Sequence, residues 1–312
     1  MLKYLSLFSG IEATTCAWGN FPMLPVAFSE IEPFCCNVLA KHYPQVPNLG
    51  DITKFTPEML DKLGRIDLVV GGSPCQGLSV AGRRLGFDDE RSKLALNYIA
   101  VIRHLRPGWF IWENVPGVLS TRKGADFRVF VSLLAECGYS LAWRVLDAQY
   151  FGVPQRRRRL YVVGSADPSS DGPGKILLDD TGMSRTPPQD LRQRLASTER
   201  HIPDYSETVF DMSHACDVLR TYYYSTPTLT ARMGTGGNNI PLVVQNGKLR
   251  KLTPTECLRL QGFPDYWFDD IKGYSDTAAY KAIGNSMAVP VMHWLGGMLC
   301  EYTGQEGFRH CD

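Results

Sequence analysis

LKYLSLFSGIEA, residues 2–13, decides the reading of the fold: an aliphatic and aromatic run stops at a serine–glycine turn and passes straight into a helix-length segment. Strand, tight turn and helix start in that order cradle nucleotide-like ligands in open α/β proteins. The alternation continues outward from there. PVAFSE (25–30) is followed by a helical segment from Pro33 to Tyr43, DLVVGG (67–72) by Arg91 to Leu105, and WFIWENV (109–115) by a helical stretch near Phe127 to Cys137. SLAWRVLD (140–147) and RLYVVGS (159–165) complete the set. About six near-continuous apolar runs predict a sheet covered on both faces, and the fold class is α/β.

The totals set the outer bounds. A chain of 312 residues with 44% hydrophobic content can bury a full core. No apolar run reaches eighteen residues and MLKYLSLFSG has no basic leader, so the reading is cytoplasmic, with no membrane span and no secretory signal. Nine cysteines form an odd set without CxxC spacing, which argues against a disulfide framework and a structural zinc site; no metal is expected. A net charge of +1 gives no global mark of a polyanionic partner, so a nucleic-acid surface must come from local clusters. The densest is Arg156 to Arg159, with Arg83 and Arg84, Arg91 and Lys93, and Arg250 and Lys251 as smaller ones.

Composition changes after Ser165. Asp, Ser, Gly and Pro dominate to about Gln189, and no long hydrophobic period returns before Leu252. Within this insert TYYYSTPTLTARMGTGGNN (221–239) has the make-up of irregular recognition loops. Regular structure resumes at Thr253, where T-P-T-E supplies an N-cap, a proline at the first helical position and a capping-box glutamate. Val291, Trp294, Leu295, Met298 and Leu299 recur at helical spacing, predicting a last helix packed back on the first domain. The expected division is 1–165 and 251–312 for a catalytic domain, with 166–250 between them.

Several residues stand where such sheets bind ligands. Glu30 ends the second strand, placed to accept from a ribose diol. Asp51, in GDIT, suits an adenine amino group, with Ile31 and Ile52 as apolar faces for the ring. The turn FSGIEA is too poor in glycine for a pyrophosphate loop, which disfavours a nucleotide-dependent oxidoreductase. Cys75 follows the strand DLVV in GGSPCQGLS, and Glu113 ends the strand WFIW at the same sheet edge. A single cysteine is more often packing than a nucleophile, and a strand-end glutamate is often merely solvated; together at one edge they point to chemistry.

Taken in order, these motifs resemble the DNA (cytosine-5)-methyltransferase family of bacterial and phage type, over nearly the whole chain outside the insert. SLFSGIEA is similar to its cofactor motif, though Ile11, Glu12 and Ala13 depart from the commoner glycine-rich ending. SPCQGLS resembles its nucleophile loop, ENV its cytosine-binding glutamate motif, QRRRR its Q-x-R-x-R motif and AIGNSM its late cofactor motif. The resemblance implies a Rossmann-like AdoMet-dependent methyltransferase fold, a mixed sheet flanked by helices, with a smaller irregular target recognition domain. It implies AdoMet contacts at Phe8, Gly10, Ile11, Glu30, Ile31, Asp51, Ile52, Pro74, Leu94, Asn285 and Met287. Catalytic roles fall to Cys75, Glu113, Arg157 and Arg159, and DNA contacts to Gln76, Ser79, Arg91, Gln155, Arg157, Thr228, Leu229 and Arg232, with Tyr222 to Tyr224 and Asn238 as further candidates for base edges.

The implied reaction is methyl transfer to carbon 5 of a flipped-out cytosine in a specific duplex sequence, with Cys75 adding at carbon 6. Duplex DNA is the expected partner, a cognate restriction endonuclease a candidate second one, and the chain is read as a monomer. An RNA cytosine-5 methyltransferase on the same scaffold and a noncatalytic DNA-binding regulator are the alternatives. The sizeable insert speaks against the first, and intact Cys75, Glu113 and Arg159 against the second.

Overall fold

The computed structural model describes residues 1–73, 90–180, 183, 205–213, 220–235 and 239–305, with the backbone alone at 90–93 and 205–207. Among these residues one six-stranded sheet has the order β2-β1-β3-β4-β6-β5: β1 Leu2–Leu7, β2 Met23–Ser29, β3 Leu68–Gly71, β4 Trp109–Asn114, β5 Ser140–Asp147 and β6 Arg158–Ser165. β2, β1, β3 and β4 are parallel, while β6 lies antiparallel to both β4 and β5. The α/β sheet expected from the apolar runs is therefore present, and it is mixed, as the family resemblance implies. Its middle strands read as unbroken apolar runs because both faces are covered: Leu5, Leu7, Val69, Phe110 and Trp112 join one buried cluster, and Tyr4, Leu68, Val70 and Ile111 the other.

Helices α1 Ala13–Trp18, α2 Pro33–His42, α3 Pro57–Asp61, α4 Glu90–Leu105, α5 Ala125–Glu136 and α6 Gly172–Leu178 connect or follow these strands. α6 packs on β5 and β6, so by contact it goes with the first sheet although it lies within the insert. Helix α7, Pro254–Gln261, starts with the capping box expected at Thr253: its hydroxyl accepts from Glu256 N, and the Glu256 carboxylate accepts from Thr253 N. α8 spans Asp276–Asn285 and α9 Val289–Tyr302. α9 buries Val291, Trp294, Leu295, Met298 and Leu299 and packs on α1 and α6, as its spacing requires.

The insert holds more regular structure than its composition predicts. β7 Tyr205–Asp211, β8 Arg220–Tyr223, β9 Leu242–Gln245 and β10 Lys248–Lys251 form an antiparallel sheet of order β10-β9-β7-β8. Asn246 and Gly247 join β9 to β10 with φ of 50° and 72°, the paired left-handed geometry that a two-residue Asn-Gly hairpin adopts.

Candidate active site

From β1 the chain crosses to β2 on one side, and from β3 to β4 on the other. Neighbouring strands whose connections diverge leave a crevice at their carboxyl ends, where open α/β sheets bind ligands. The loops after β1, β2, β3 and β4 all open there.

The loop after β1 is wound tightly. Phe8, Gly10 and Glu12 have φ of 54°, 56° and 60°, so two non-glycine residues take left-handed backbone at about 1 kcal/mol each. Buried hydrogen bonds hold it. Glu12, 1% exposed, caps α1 by accepting from Thr15 N (3.0 Å) and Thr15 Oγ1 (2.9 Å), while Ser6 Oγ donates to its other oxygen at 2.9 Å. Burial raises its carboxyl to about 7, against the lowering effect of these donors.

Glu30 reaches back over this loop. Its Oε2 accepts from Gly10 N at 2.7 Å, and its Oε1 accepts from Ile31 N and Glu32 N, both at 2.8 Å. A carboxylate has about four acceptor positions, so capacity for a ribose hydroxyl remains on Oε2. Asp51 Oδ1 accepts from Thr53 N and Oγ1, and these bonds hold its carboxyl below the ordinary value. Ile52 is buried beside it and Ile31 is exposed. The Glu30 carboxylate at the turn repels a pyrophosphate and suits a ligand bearing a ribose and a positive centre. The residues present therefore fit AdoMet.

On the other side of the crevice, Glu113 and Arg159 meet. Glu113 pairs with Tyr161 across the β4–β6 ladder, and period-two alternation puts Arg159 on the same face as Tyr161, within diagonal reach of Glu113. Arg159 Nε lies 3.1 Å from Glu113 Oε1, with the two side chains 13% and 12% exposed. Burial raises the Glu113 carboxyl even though Arg159 and Arg157 pull it down. Space for the carboxylate comes from Gly72, where a Cβ would stand 2.8 Å from Glu113 Oε2. Beside it, Trp112 Nε1 donates to Ser73 Oγ (2.8 Å) and Asn114 Nδ2 to the Ser73 carbonyl (2.6 Å). Ser73, two residues before Cys75 in the sequence, is thus held by the residues on either side of Glu113.

Cys75 itself, with Pro74, Gln76, Ser79, Arg83, Arg84 and Asn238, lies outside the described residues, as do the side chains of Arg91 and Lys93. Two expected DNA contacts are internal instead. Arg157 is 2% exposed and donates to the carbonyls of Leu229 (2.7 Å), Gly284 (3.2 Å) and Ser286 (2.5 Å). Gln155 is fully buried, donating to Leu260 O and Gln261 Oε1 and accepting from Leu229 N. Buried and turned to partners inside the fold, neither side chain presents a donor to a phosphate. The outward cations are Arg156 and Arg158, with Arg156 5.8 Å over the Tyr222 ring.

Leu229 is also buried, while Thr228 Oγ1 donates to the Arg156 carbonyl and Arg232 is exposed. Ile11 is buried and Leu94 half-buried; Asn285 is exposed and Met287 is 8% exposed. Sequence reasoning missed Glu12, Asn114 and Gln261. The first had a signal, a carboxylate three residues before Thr15 at a helix start. Among the described residues no group of three or more His, Cys, Asp or Glu could hold a metal ion, and no helix is long and apolar enough to cross a membrane.

The family model described as C-5 cytosine-specific DNA methylase matches residues 2–248 and 189–300. The Type II methyltransferase M.Bsp6I of Bacillus sp. (strain RFL6) is 34% identical over 94% of this chain and 96% of its own. A protein named DNA N-6-adenine-methyltransferase, from Escherichia phage P1, is 30% identical over 95% of this chain, which spans 60% of that longer relative. The crystal structure of the S. pombe Dnmt2 methyltransferase superposes with a TM-score of 0.74 at 22% identity, covering 97% of this chain and 99% of its own, a likeness of fold.

Proposed function

Because the chain belongs to the C-5 cytosine-specific DNA methylase family, we propose that it methylates carbon 5 of a cytosine extruded from a specific duplex DNA sequence, through a covalent adduct of Cys75 at carbon 6. Its class is DNA cytosine methyltransferase and its donor S-adenosyl-L-methionine. When bound, that cofactor supplies a methyl group made electrophilic by a sulfonium.

The observation that supports the reading is the largely buried Glu113–Arg159 pair near Ser73, two residues before Cys75 in the sequence. Carbon 5 of cytosine is a weak nucleophile. Addition of the Cys75 thiolate to carbon 6 moves the 5,6 electron pair to carbon 5, which would then bond to the methyl carbon as the methyl–sulfur bond breaks and leaves its pair on the donor's sulfur as a neutral thioether. Glu113, raised by burial, gives its proton to N3 as electron density gathers on the ring, while Arg159 holds both that carboxylate and the base's carbonyl oxygen. A base or water then removes the carbon-5 proton, the returning electron pair expels the Cys75 thiolate, and N3 gives its proton back to Glu113.

Glu30 and Asp51 hold the donor's ribose and adenine in this reading, with Phe8, Gly10, Asn285 and Met287 around them. A base inside a duplex cannot be flanked above and below its plane by a thiol and a sulfonium, so the target must leave the stack, at a cost of a few kcal/mol. The outward Arg156 and Arg158, with Arg232 and the cations of residues 83–93, offset that cost through phosphate contacts. The β7–β10 sheet and residues 220–239 form the recognition part, and the chain outside the insert the catalytic part. A role in protective methylation opposite a cognate endonuclease, as a cytoplasmic monomer, completes the proposal; the relative's Type II name supports it.

The test is transfer of labelled methyl from AdoMet to duplex DNA, followed by nucleoside separation. Label in 5-methylcytosine supports the reading. Label in N6-methyladenine, as the phage P1 relative's name would have it, or transfer to RNA alone, overturns it.

A further inference from the structure

Among the side chains that join the loops carrying Glu30 and Asp51 is Asn48, which the motifs do not include. The parallel pairing of Phe28 with Asn48 is the last backbone bridge between these segments. Beyond it the Asn48 side chain continues the pairing. Its Oδ1 accepts from Glu30 N (3.0 Å) and from Gly50 N (3.1 Å), and its Nδ2 donates to the Glu30 carbonyl (3.0 Å) and to Cys36 Sγ (3.3 Å). One amide thus engages both backbone groups of Glu30, as a neighbouring strand would, and also the residue before Asp51. Ser29 Oγ closes the same gap by donating to the Gly50 carbonyl at 2.7 Å.

We propose that Asn48 is a positioning residue for the methyl donor, fixing the ribose-binding Glu30 and the adenine-binding Asp51 at one separation before the cofactor arrives. The inference rests on the reading that these two carboxylates hold AdoMet. The bonds run in series: Gly10 N to the Glu30 carboxylate, the Glu30 backbone to Asn48, and Asn48 to Gly50 beside Asp51. Neither carboxylate needs Asn48 for its own bonds, so its loss frees their relative placement and not their chemistry. Only an amide offers an acceptor and a donor in one plane; an aspartate here would lose both donor bonds and add a charge beside Glu30. Asn48 is itself exposed, so shortening it opens no buried cavity and strands no buried polar group. Preorganisation of this kind acts on affinity.

The test is equilibrium titration of the full-length protein with AdoMet, alongside steady-state methylation. Asn48→Ala is expected to raise the AdoMet Kd about tenfold, with kcat at saturating AdoMet and KM for DNA within about twofold of the parent. Asn48→Ser is expected to do the same. Repeated on a Glu30→Gln background, the Asn48→Ala change should cost less than about threefold, since side chains acting as one unit are not additive. An unchanged Kd in both Asn48 variants, an equal cost on both backgrounds, or a fall in kcat without a change in Kd overturns the inference. If Glu30→Gln alone leaves the Kd untouched, the cofactor reading itself has failed and the positioning role falls with it.

Discussion

Glu113 and Arg159 sit on antiparallel neighbours, β4 and β6, and meet at 3.1 Å because Glu113 is opposite Tyr161, two residues along the same face from Arg159. A carboxyl group raised by burial yet ion-paired to an arginine is suited to carry a proton that it shares with a bound base. Glu113→Gln, which keeps the shape and removes the acidic proton, is expected to lower single-turnover methylation by a factor on the order of a hundred or more. Its AdoMet affinity should stay within about twofold; a variant at parental rate would remove Glu113 from the chemistry.

Gly72 should be sensitive despite having no side chain. A methyl group there would stand 2.8 Å from Glu113 Oε2 and 3.1 Å from the Glu113 carbonyl oxygen, so the carboxylate must leave Arg159 or the strand must shift. Gly72→Ala is expected to lower kcat at least about tenfold. Rapid-quench kinetics would read this, and an unperturbed kcat would show that the carboxylate position is not critical.

Adjacent arginines should behave in opposite ways. Arg157→Lys loses carbonyl contacts inside the fold and is expected to cost about 3 kcal/mol of stability in denaturant unfolding. The same change should leave the salt dependence of DNA binding unaltered. Arg156→Gln should do the reverse, keeping the stability and reducing the log–log salt slope by about one. A reduced slope in the Arg157 variant would restore the phosphate contact that its burial contradicts.

Glu12 gives a pH signature. With its folded carboxyl near 7 and its ordinary value 4.5, the folded chain holds a proton that the unfolded chain has released between those values. Stability from this group is full below about 4.5, falls as pH rises across the window and is flat above it. Glu12→Gln should therefore raise Tm more at pH 8 than at pH 5, when compared with the parent by calorimetry. Equal shifts at both pH values would mean that Glu12 is ionised throughout.

The sheet was legible because buried parallel strands write themselves as apolar runs, and the Thr253 capping box because its parts are three residues apart. The hairpin of β9 and β10 was equally local, marked by Asn246-Gly247, and was passed over in a segment judged by its polar composition. Arg156–Arg159 lead into a strand, where period-two alternation sets one pair inward, as Arg157 and Arg159 are. What it could not tell is that Arg157 spends its donors on carbonyls from residues 72, 127 and 129 positions away, because only tertiary packing brings those together. Glu30 was found from its place at a strand end, while Asn48, which ties it to the Asp51 turn, belongs to no motif.

Covalent capture tests the central claim most directly. Duplex DNA containing 5-fluorocytosine at the methylated position, incubated with the protein and AdoMet, should yield a denaturation-resistant protein–DNA adduct, because fluorine cannot leave carbon 5 as a proton and the bond at carbon 6 is trapped. Cys75→Ser should give none. Turnover of such DNA without an adduct, or an adduct that survives the Cys75→Ser change, would contradict the account.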